Sequence, residues 1–274
     1  MGFVAEYGWI WGFSLAGFLM LWPISLWRRD CSVVDFWWGP GFGAMAIALW
    51  VSMGSPTDGF TLALMLPLLF WSMRLGIQLG LRRIREGHED PRYTEMREAR
   101  APNWGIKSLF MVFILQAVVQ GLVGVGVLAG IAAAPSAEVT ALVYVLAGIA
   151  TIAALVEMLS DLQLDIYRSK VPKGGLLTTG LRAYVRYPSY TAEIVFWVAL
   201  SLMGMLAGVW WAGLSAALVV LLLRYVSGVT ILEERMARTR PDFARYQQTV
   251  PMLWPNWRQI FDRTPPPHSG TPAE

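Results

Sequence analysis

The chain has 274 residues, 55% of them hydrophobic and only 15% charged, with a formal net charge of +3. An ordinary soluble domain carries about a quarter charged residues, so this composition argues against a soluble enzyme and for a multi-pass membrane protein. The compensated charge argues against a nucleic-acid partner, and the single cysteine, Cys31, excludes an intrachain disulfide and a cysteine-rich metal site.

About 20 predominantly apolar residues span a bilayer core as a helix. Seven such stretches occur, at about 7–27, 36–53, 60–80, 108–134, 139–159, 190–206 and 208–226. The first is too long and too Trp-rich for a cleavable signal and is expected to stay as a helix. Basic residues fall only in alternate connections. Two follow the first span and eight belong to the third and the loop after it. Five follow the fifth and seven close the seventh and fill the tail, which accounts for all 22 Lys and Arg. The positive-inside rule then places the N-terminus outside and the C-terminus in the cytoplasm. The expected fold is an all-α bundle of seven transmembrane helices, one domain over residues 1–262, with 263–274 as a disordered tail. The expected location is the bacterial inner membrane, with the site facing the cytoplasm.

The loop LRRIREGHEDPRYTEMREARAPNWGIK, residues 81–107, is long for a compact bundle and so a candidate for function. It predicts a helix ending near Gly87, a turn at Asp90-Pro91 and a short amphipathic piece carrying Tyr93, Met96 and Arg97. Gly121, Gly124, Gly126 and Gly130 have the small-residue spacing that lets membrane helices approach closely.

Ionisable groups at membrane depth are rare and functional by default. Asp35, Arg74, Glu157, Asp161, Asp165, Glu193, Arg224, Glu233 and Glu234 lie within spans or at their cytoplasmic ends. Long side chains at helix ends also snorkel or pair without further purpose. Glu157, Asp161 and Asp165, four apart, share one helical face and repel one another unless donors meet them.

The stretch YRSKVPKGGLLTTGLRAYVRYPSYTAEIVFW, residues 167–197, combines Lys170, Lys173, Arg182 and Arg186 with Gly174 and Gly175. Fixed positive charge beside flexible backbone can hold phosphates. A basic loop touching anionic lipid fits the composition equally well. Ser189, beside Pro188, is a candidate helix cap.

The segments SVVDFWWGPGF (32–42), RLGIQLGLRR (74–83), EDPRY (89–93), Ser160 to Trp197, and LLRYVSGVTILEER (222–235) closed by Phe243 and Tyr246 stand in an order that resembles the bacterial branch of the steroid 5-alpha-reductase family. The likeness covers about residues 30–257. It implies a seven-helix bundle that binds NADPH from the cytoplasmic side and reduces a carbon–carbon double bond conjugated to a ketone in a flat, lipid-soluble substrate such as a delta-4 3-ketosteroid. Under it, Asp161 and Arg168 match positions that hold the nucleotide, Lys170 and Lys173 lie where phosphates are contacted, and Ser189, Tyr190 and Glu193 match the helix start. Candidate cofactor-binding residues are thus Arg82, Arg83, Arg92, Asp161, Arg168, Lys170, Lys173, Ser189, Tyr190, Arg224, Glu233 and Glu234. Candidate catalytic residues are Asp35, Trp38 and Glu193, and candidate substrate-binding residues are Trp37, Trp71 and Gln78; no metal is expected. The chain departs from the animal enzymes at Ser189, where they have Asn, at Glu233-Glu234-Arg235, where they have a His-rich turn, and at residues 35–38, where they have a Gln-Glu pair. Expected partners are the substrate and membrane lipids, and the chain is expected to act as a monomer.

Hydride attack on an enone builds negative charge on the carbonyl oxygen, so the site needs a preorganised donor there. Asp35 is the first candidate: among Phe36, Trp37 and Trp38, desolvation would keep its carboxyl protonated. It is also a candidate N-cap of the second span, with Ser32 as rival. Trp37, Trp38 and Trp71 could supply flat apolar walls, or anchor the helix at the interface.

Two other readings use the same residues. Integral membrane methyltransferases using S-adenosylmethionine also carry an Arg-x-Pro-x-Tyr helix start and a later Glu-Glu pair, here Arg186, Pro188, Tyr190, Glu233 and Glu234. A non-catalytic sterol- or lipid-binding protein is the third. A transporter would place polar groups at mid-membrane in two related halves, which this sequence does not do.

Overall fold

The computed structural model describes residues 3–171, 175–226 and 229–256. The expected 263–274 tail and Lys173 lie outside them. Among the described residues the structure is helical, with no strand. The elements are α1 (Phe3–Arg28), α2 (Asp35–Ser52), α3 (Gly59–Glu86), α4 (Pro91–Ala99), α5 (Trp104–Ser108), α6 (Leu115–Ala133), α7 (Ala141–Lys170), α8 (Pro188–Leu206), α9 (Gly213–Leu221), α10 (Val229–Thr239) and α11 (Phe243–Thr249). Wider, π-type turns join α5 to α6 over Leu109–Ile114 and extend α9 over Leu222–Val226.

Five helices are long and apolar enough to cross a membrane: Glu6–Arg28, Gly59–Arg85, Trp104–Ser136, Ala141–Lys170 and Pro188–Leu206. Helices also form at the second and seventh expected spans, but neither meets that standard. In α2 the run of Trp37, Trp38, Gly39, Pro40, Gly41 and Gly43 dilutes the apolar content, and the seventh is short, covering Trp210–Tyr225. The third and fifth expected spans are overrun at their charged ends, where α3 continues to Glu86 and α7 to Lys170.

The chain divides into two compact units. The first comprises Met1–Thr151 with Val198–Ala216, the second Ile152–Trp197 with Ala217–Glu274.

In the first unit α2 is the central helix and packs against α1, α3 and α6. Pro40 withholds one amide from the α2 ladder, and carbonyls near it are served from outside. The Gln120 amide donates to Trp38 O at 2.6 Å and Trp37 O at 3.3 Å, and its oxygen accepts from Ser14. The Ser72 hydroxyl of α3 donates to Gly39 O and accepts from Gly43 N at 2.9 Å. Such proximity requires glycine: a Cβ on Gly39 would lie 2.7 Å from the Ser72 carbonyl, and one on Gly43 2.6 Å from its hydroxyl. The α6 glycines behave as their spacing predicts. A Cβ on Gly126 would meet Ala212 O at 2.7 Å and one on Gly130 the Cα of Gly204 at 2.6 Å.

In the second unit α11 buries Phe243 and Tyr246, with Val250 after it, and Leu176 and Met236 pack on them. This small core fixes the chain end onto the link between α7 and α8.

Candidate functional site

The first unit builds a polar cluster where α4 docks on the link between α1 and α2. Helix α3 stops as predicted at Gly87, whose φ of 67° is easily reached only without a side chain. Asp90 then caps α4 by accepting from Arg92 N at 2.9 Å, with Pro91 in the first turn. Opposite it, Asp30 caps the short turn Cys31–Val34 through Ser32 N and forms an ion pair with Arg83. Three further bonds stitch α4 down: Asp90 N donates to Ser32 Oγ at 2.6 Å, Cys31 N to Glu89 Oε1 at 2.7 Å, and Arg97 to the same Glu89 oxygen at 2.7 Å. Neither Ser32 nor Asp35 caps α2. Val34 occupies that position and caps nothing with its side chain.

Asp35 is thereby left to face α4. Its Oδ1 accepts from the Tyr93 hydroxyl at 2.7 Å and its Oδ2 from Arg92 at 3.3 Å. The Tyr93 oxygen in turn accepts from the Gln116 amide at 3.0 Å. Beside the apolar neighbours that the sequence offers, both Asp35 oxygens have cationic or hydroxyl donors. Asp35 precedes the apolar run of α2. Burial pushes its carboxyl above the ordinary range, against the pull of Arg92 and Tyr93, and 30% side-chain exposure keeps that push partial. Tyr93 is 4% exposed, and burial first, then the Asp35 charge, holds its phenol well above the usual value. It remains a neutral hydroxyl. Tyr93 was legible as an amphipathic residue of a loop and as the end of the EDPRY segment; nothing in its spacing shows that it reaches Asp35.

The apolar candidates pack against neighbouring helices and one another. Trp37 donates to Ser14 O at 3.0 Å and lies against Gly17 of α1. Trp38 meets Phe42 edge-on at 5.8 Å, and Phe42 meets the fully buried Trp71 at 5.9 Å. Gln78 accepts from Arg74 at 2.8 Å. Arg83 serves Asp30 and the His88 carbonyl, and Arg82 is half-buried.

The second unit is organised around Arg186, 6% exposed. Its guanidinium binds Glu233 Oε1 through Nε at 2.8 Å and Nη2 at 2.7 Å, while Nη1 donates to the carbonyls of Gln247 at 3.0 Å and Val250 at 2.6 Å. The backbone amides of Arg186 and Tyr187 donate to Pro251 O at 2.9 Å and Met252 O at 3.1 Å, and the Thr191 hydroxyl to Leu253 O. Gln247 holds the other Glu233 oxygen at 3.1 Å. Arg186 and Glu233 are therefore committed to holding the chain end, whereas Glu234 is exposed and lies 3.8 Å from Arg238.

Of the α7 carboxylates, Asp161 accepts from Ser189 at 2.7 Å, and the Ser160 hydroxyl lies 2.8 Å from that of Ser189. Ser189 thus serves Asp161 rather than capping α8. Glu157 is buried, Asp165 and Glu193 are half-buried, and Arg168 and Lys170 are exposed. Tyr190 stacks on Tyr187 with centroids 5.7 Å apart and planes 14° apart. Arg224 lies 5.4 Å over the ring of Tyr225. Among the described residues no group of three or more His, Cys, Asp or Glu side chains could hold a metal ion.

These features define a multi-pass α-helical membrane protein with two buried polar clusters, one in each unit. A family model described as a protein of unknown function, DUF1295, matches residues 21–250, and the chain belongs to that family. No curated protein and no solved structure matches it significantly.

Proposed function

We propose that the protein is an NADPH-dependent reductase that saturates the double bond of a membrane-soluble enone, with a delta-4 3-ketosteroid as the model substrate. The observation that carries this reading is the Gln116–Tyr93–Asp35 chain. It is a hydrogen-bonded acid and hydroxyl with the chemistry needed to receive the charge that develops on a ketone oxygen. With Asp35 ionised, Tyr93 donates to it. When Asp35 takes up a proton, its own O–H donates to the Tyr93 oxygen, and the phenolic hydrogen becomes available to a substrate oxygen. Arg92 and burial oppose each other in setting the pH at which that happens.

Bound NADPH would supply the hydride. Taken by itself, the second unit carries donors suited to an anion: Arg182 Nε and the Tyr187 hydroxyl are buried and have no hydrogen-bond partner among the described residues, and Arg168 and Lys170 are exposed. The resemblance of the sequence motifs to the steroid 5-alpha-reductase family supports the same assignment. The proposal includes seven spans, with α2 and α9 as the second and seventh. The 18 residues of α2 reach about 27 Å at 1.5 Å per residue, close to a bilayer core of about 30 Å. The one-sided Lys and Arg distribution puts the N-terminus outside and the C-terminus in the cytoplasm.

The test is NADPH oxidation by purified protein supplied with a delta-4 3-ketosteroid, followed by reduced-nicotinamide absorbance. Turnover that vanishes in Tyr93→Phe and Asp35→Asn supports the reading, and wild-type rates in both variants overturn it. One observation favours a second reading. Arg186 physically joins the Arg-x-Pro-x-Tyr start of α8 to Glu233, as an S-adenosylmethionine-dependent methyltransferase pattern would require. Protein stabilised by S-adenosylmethionine and indifferent to NADPH would select it.

A further inference from the structure

We propose that the α7–α8 link is a receptor for a phosphate oxyanion, built from the guanidinium edge of Arg182 and the hydroxyl of Tyr187. Arg182 spends Nη1 on the Arg186 carbonyl at 2.7 Å, while its Nε is buried with no partner among the described residues. No carboxylate among the described residues stands within ion-pair distance of it. The nearby acids are engaged: Asp161 accepts from Ser189, and Glu233 is held by Arg186 and Gln247.

A partly buried cation that no carboxylate contacts directly is costly, and here only the more distant charge of Asp161 offsets that cost. Burial accordingly lowers the Arg182 pKa from its ordinary value. An anion arriving at Nε removes the cost, and the planar donor fork of Arg matches phosphate geometry.

Tyr187 carries the second orphaned donor. Its side chain is 2% exposed, its hydroxyl has no partner among the described residues, and stacking on Tyr190 fixes the direction in which the hydroxyl points. Burial raises its pKa, with Glu233 adding to the shift, so the group stays a neutral donor. The segment from Arg182 to Tyr187 is firmly backed, since the Tyr246 hydroxyl donates to the Arg182 carbonyl and the amides of Arg186 and Tyr187 donate to the carbonyls of Pro251 and Met252. Two buried donors left over on a fixed segment form a preorganised site.

The phosphate has two possible sources, a nucleotide or a phospholipid headgroup. The nucleotide source rests on the proposed reductase reading; the oxyanion site does not. The experiment uses the full chain in a phosphate-free maltoside detergent and follows thermal unfolding with three separate probes: inorganic pyrophosphate, NADPH and short-chain phosphatidylglycerol. Stabilisation by pyrophosphate and NADPH, lost in Arg182→Gln, supports the site with a nucleotide source. Stabilisation by phosphatidylglycerol alone, lost in the same variant, supports it with a lipid source. Pyrophosphate acting without NADPH keeps the site and removes the nucleotide reading. Tyr187→Phe guards against simple misfolding: it deletes a buried hydroxyl that bonds nothing among the described residues, so the ligand-free protein melts at the same or a higher temperature. Half-saturation nevertheless rises about tenfold, as expected for one lost hydrogen bond to a charged group. If no probe stabilises the wild type, or if both variants respond as the wild type does, the proposal is overturned.

Discussion

Arg92 joins α4 to α2 through Asp35 and Arg186 joins the α7–α8 link to α10 through Glu233, and the two differ in what surrounds them. The Arg92 side chain is 46% exposed and shares its donors between Asp90 and Asp35 at 3.1–3.3 Å. The Arg186 side chain is 7% exposed, its Glu233 partner 15%, and two backbone carbonyls complete its set. A solvated pair is screened and weak. A buried one is costly to break because removing either partner strands the other. Arg186 is therefore a structural tie of the second unit, and Arg92 an electrostatic control on Asp35 in the first.

This contrast can be broken most severely at Arg186. Arg186→Ala should destabilise the protein by about 3–5 kcal/mol, read as a large drop in melting temperature, and Arg186→Lys should recover little because one ammonium cannot replace a fork. A melting temperature within a degree or two of wild type would mean that the tie contributes nothing. Next in size, Tyr93→Phe should lower turnover by about 100-fold or more with stability nearly kept. A matching loss of stability would make Tyr93 a packing residue only. Gly130→Ala, which forces a methyl into the Gly204 backbone, should cost about 1–3 kcal/mol, measurable by the same melting assay.

The smallest change in stability should come from Arg92→Ala, below about 1 kcal/mol, yet its pH signature should be clear. On the proposed reductase reading, turnover requires protonated Asp35 and should decline as pH rises through its pKa. Arg92 favours the carboxylate; removing it raises that pKa and moves the alkaline limb to higher pH. A limb that stays in place, or moves down, would detach Asp35 from the rate.

Much of the frame was readable from residue type and spacing. Gly87, Asp90 and Pro91 announce the end of one helix and the start of another by local backbone chemistry, and all three act as expected. The α6 glycines mark close packing for a similarly local reason. The candidate site was less legible, because it is built from pairings between segments distant in sequence. Asp35 and Tyr93 are 58 residues apart, and no periodicity links them. Arg186 looked like a phosphate ligand because composition shows a positive charge and not the carbonyls that already hold it. Arg182, four residues earlier, looked identical in sequence; only burial and an orphaned Nε distinguish the two.

The tie at Arg186 also sets an order of events during synthesis. The first unit has all of its residues once the ribosome has passed Ala216. Arg186, however, must wait for a carbonyl 64 positions downstream at Val250, and Thr191 for one at Leu253. The second unit therefore cannot close while the chain is still growing through α10. Its polar interior stays open to insertion machinery, chaperones and proteases until Val250 and Leu253 have emerged. A premature stop between Ala216 and Val250 leaves the helices of the first unit encoded in full and the second without its fastening.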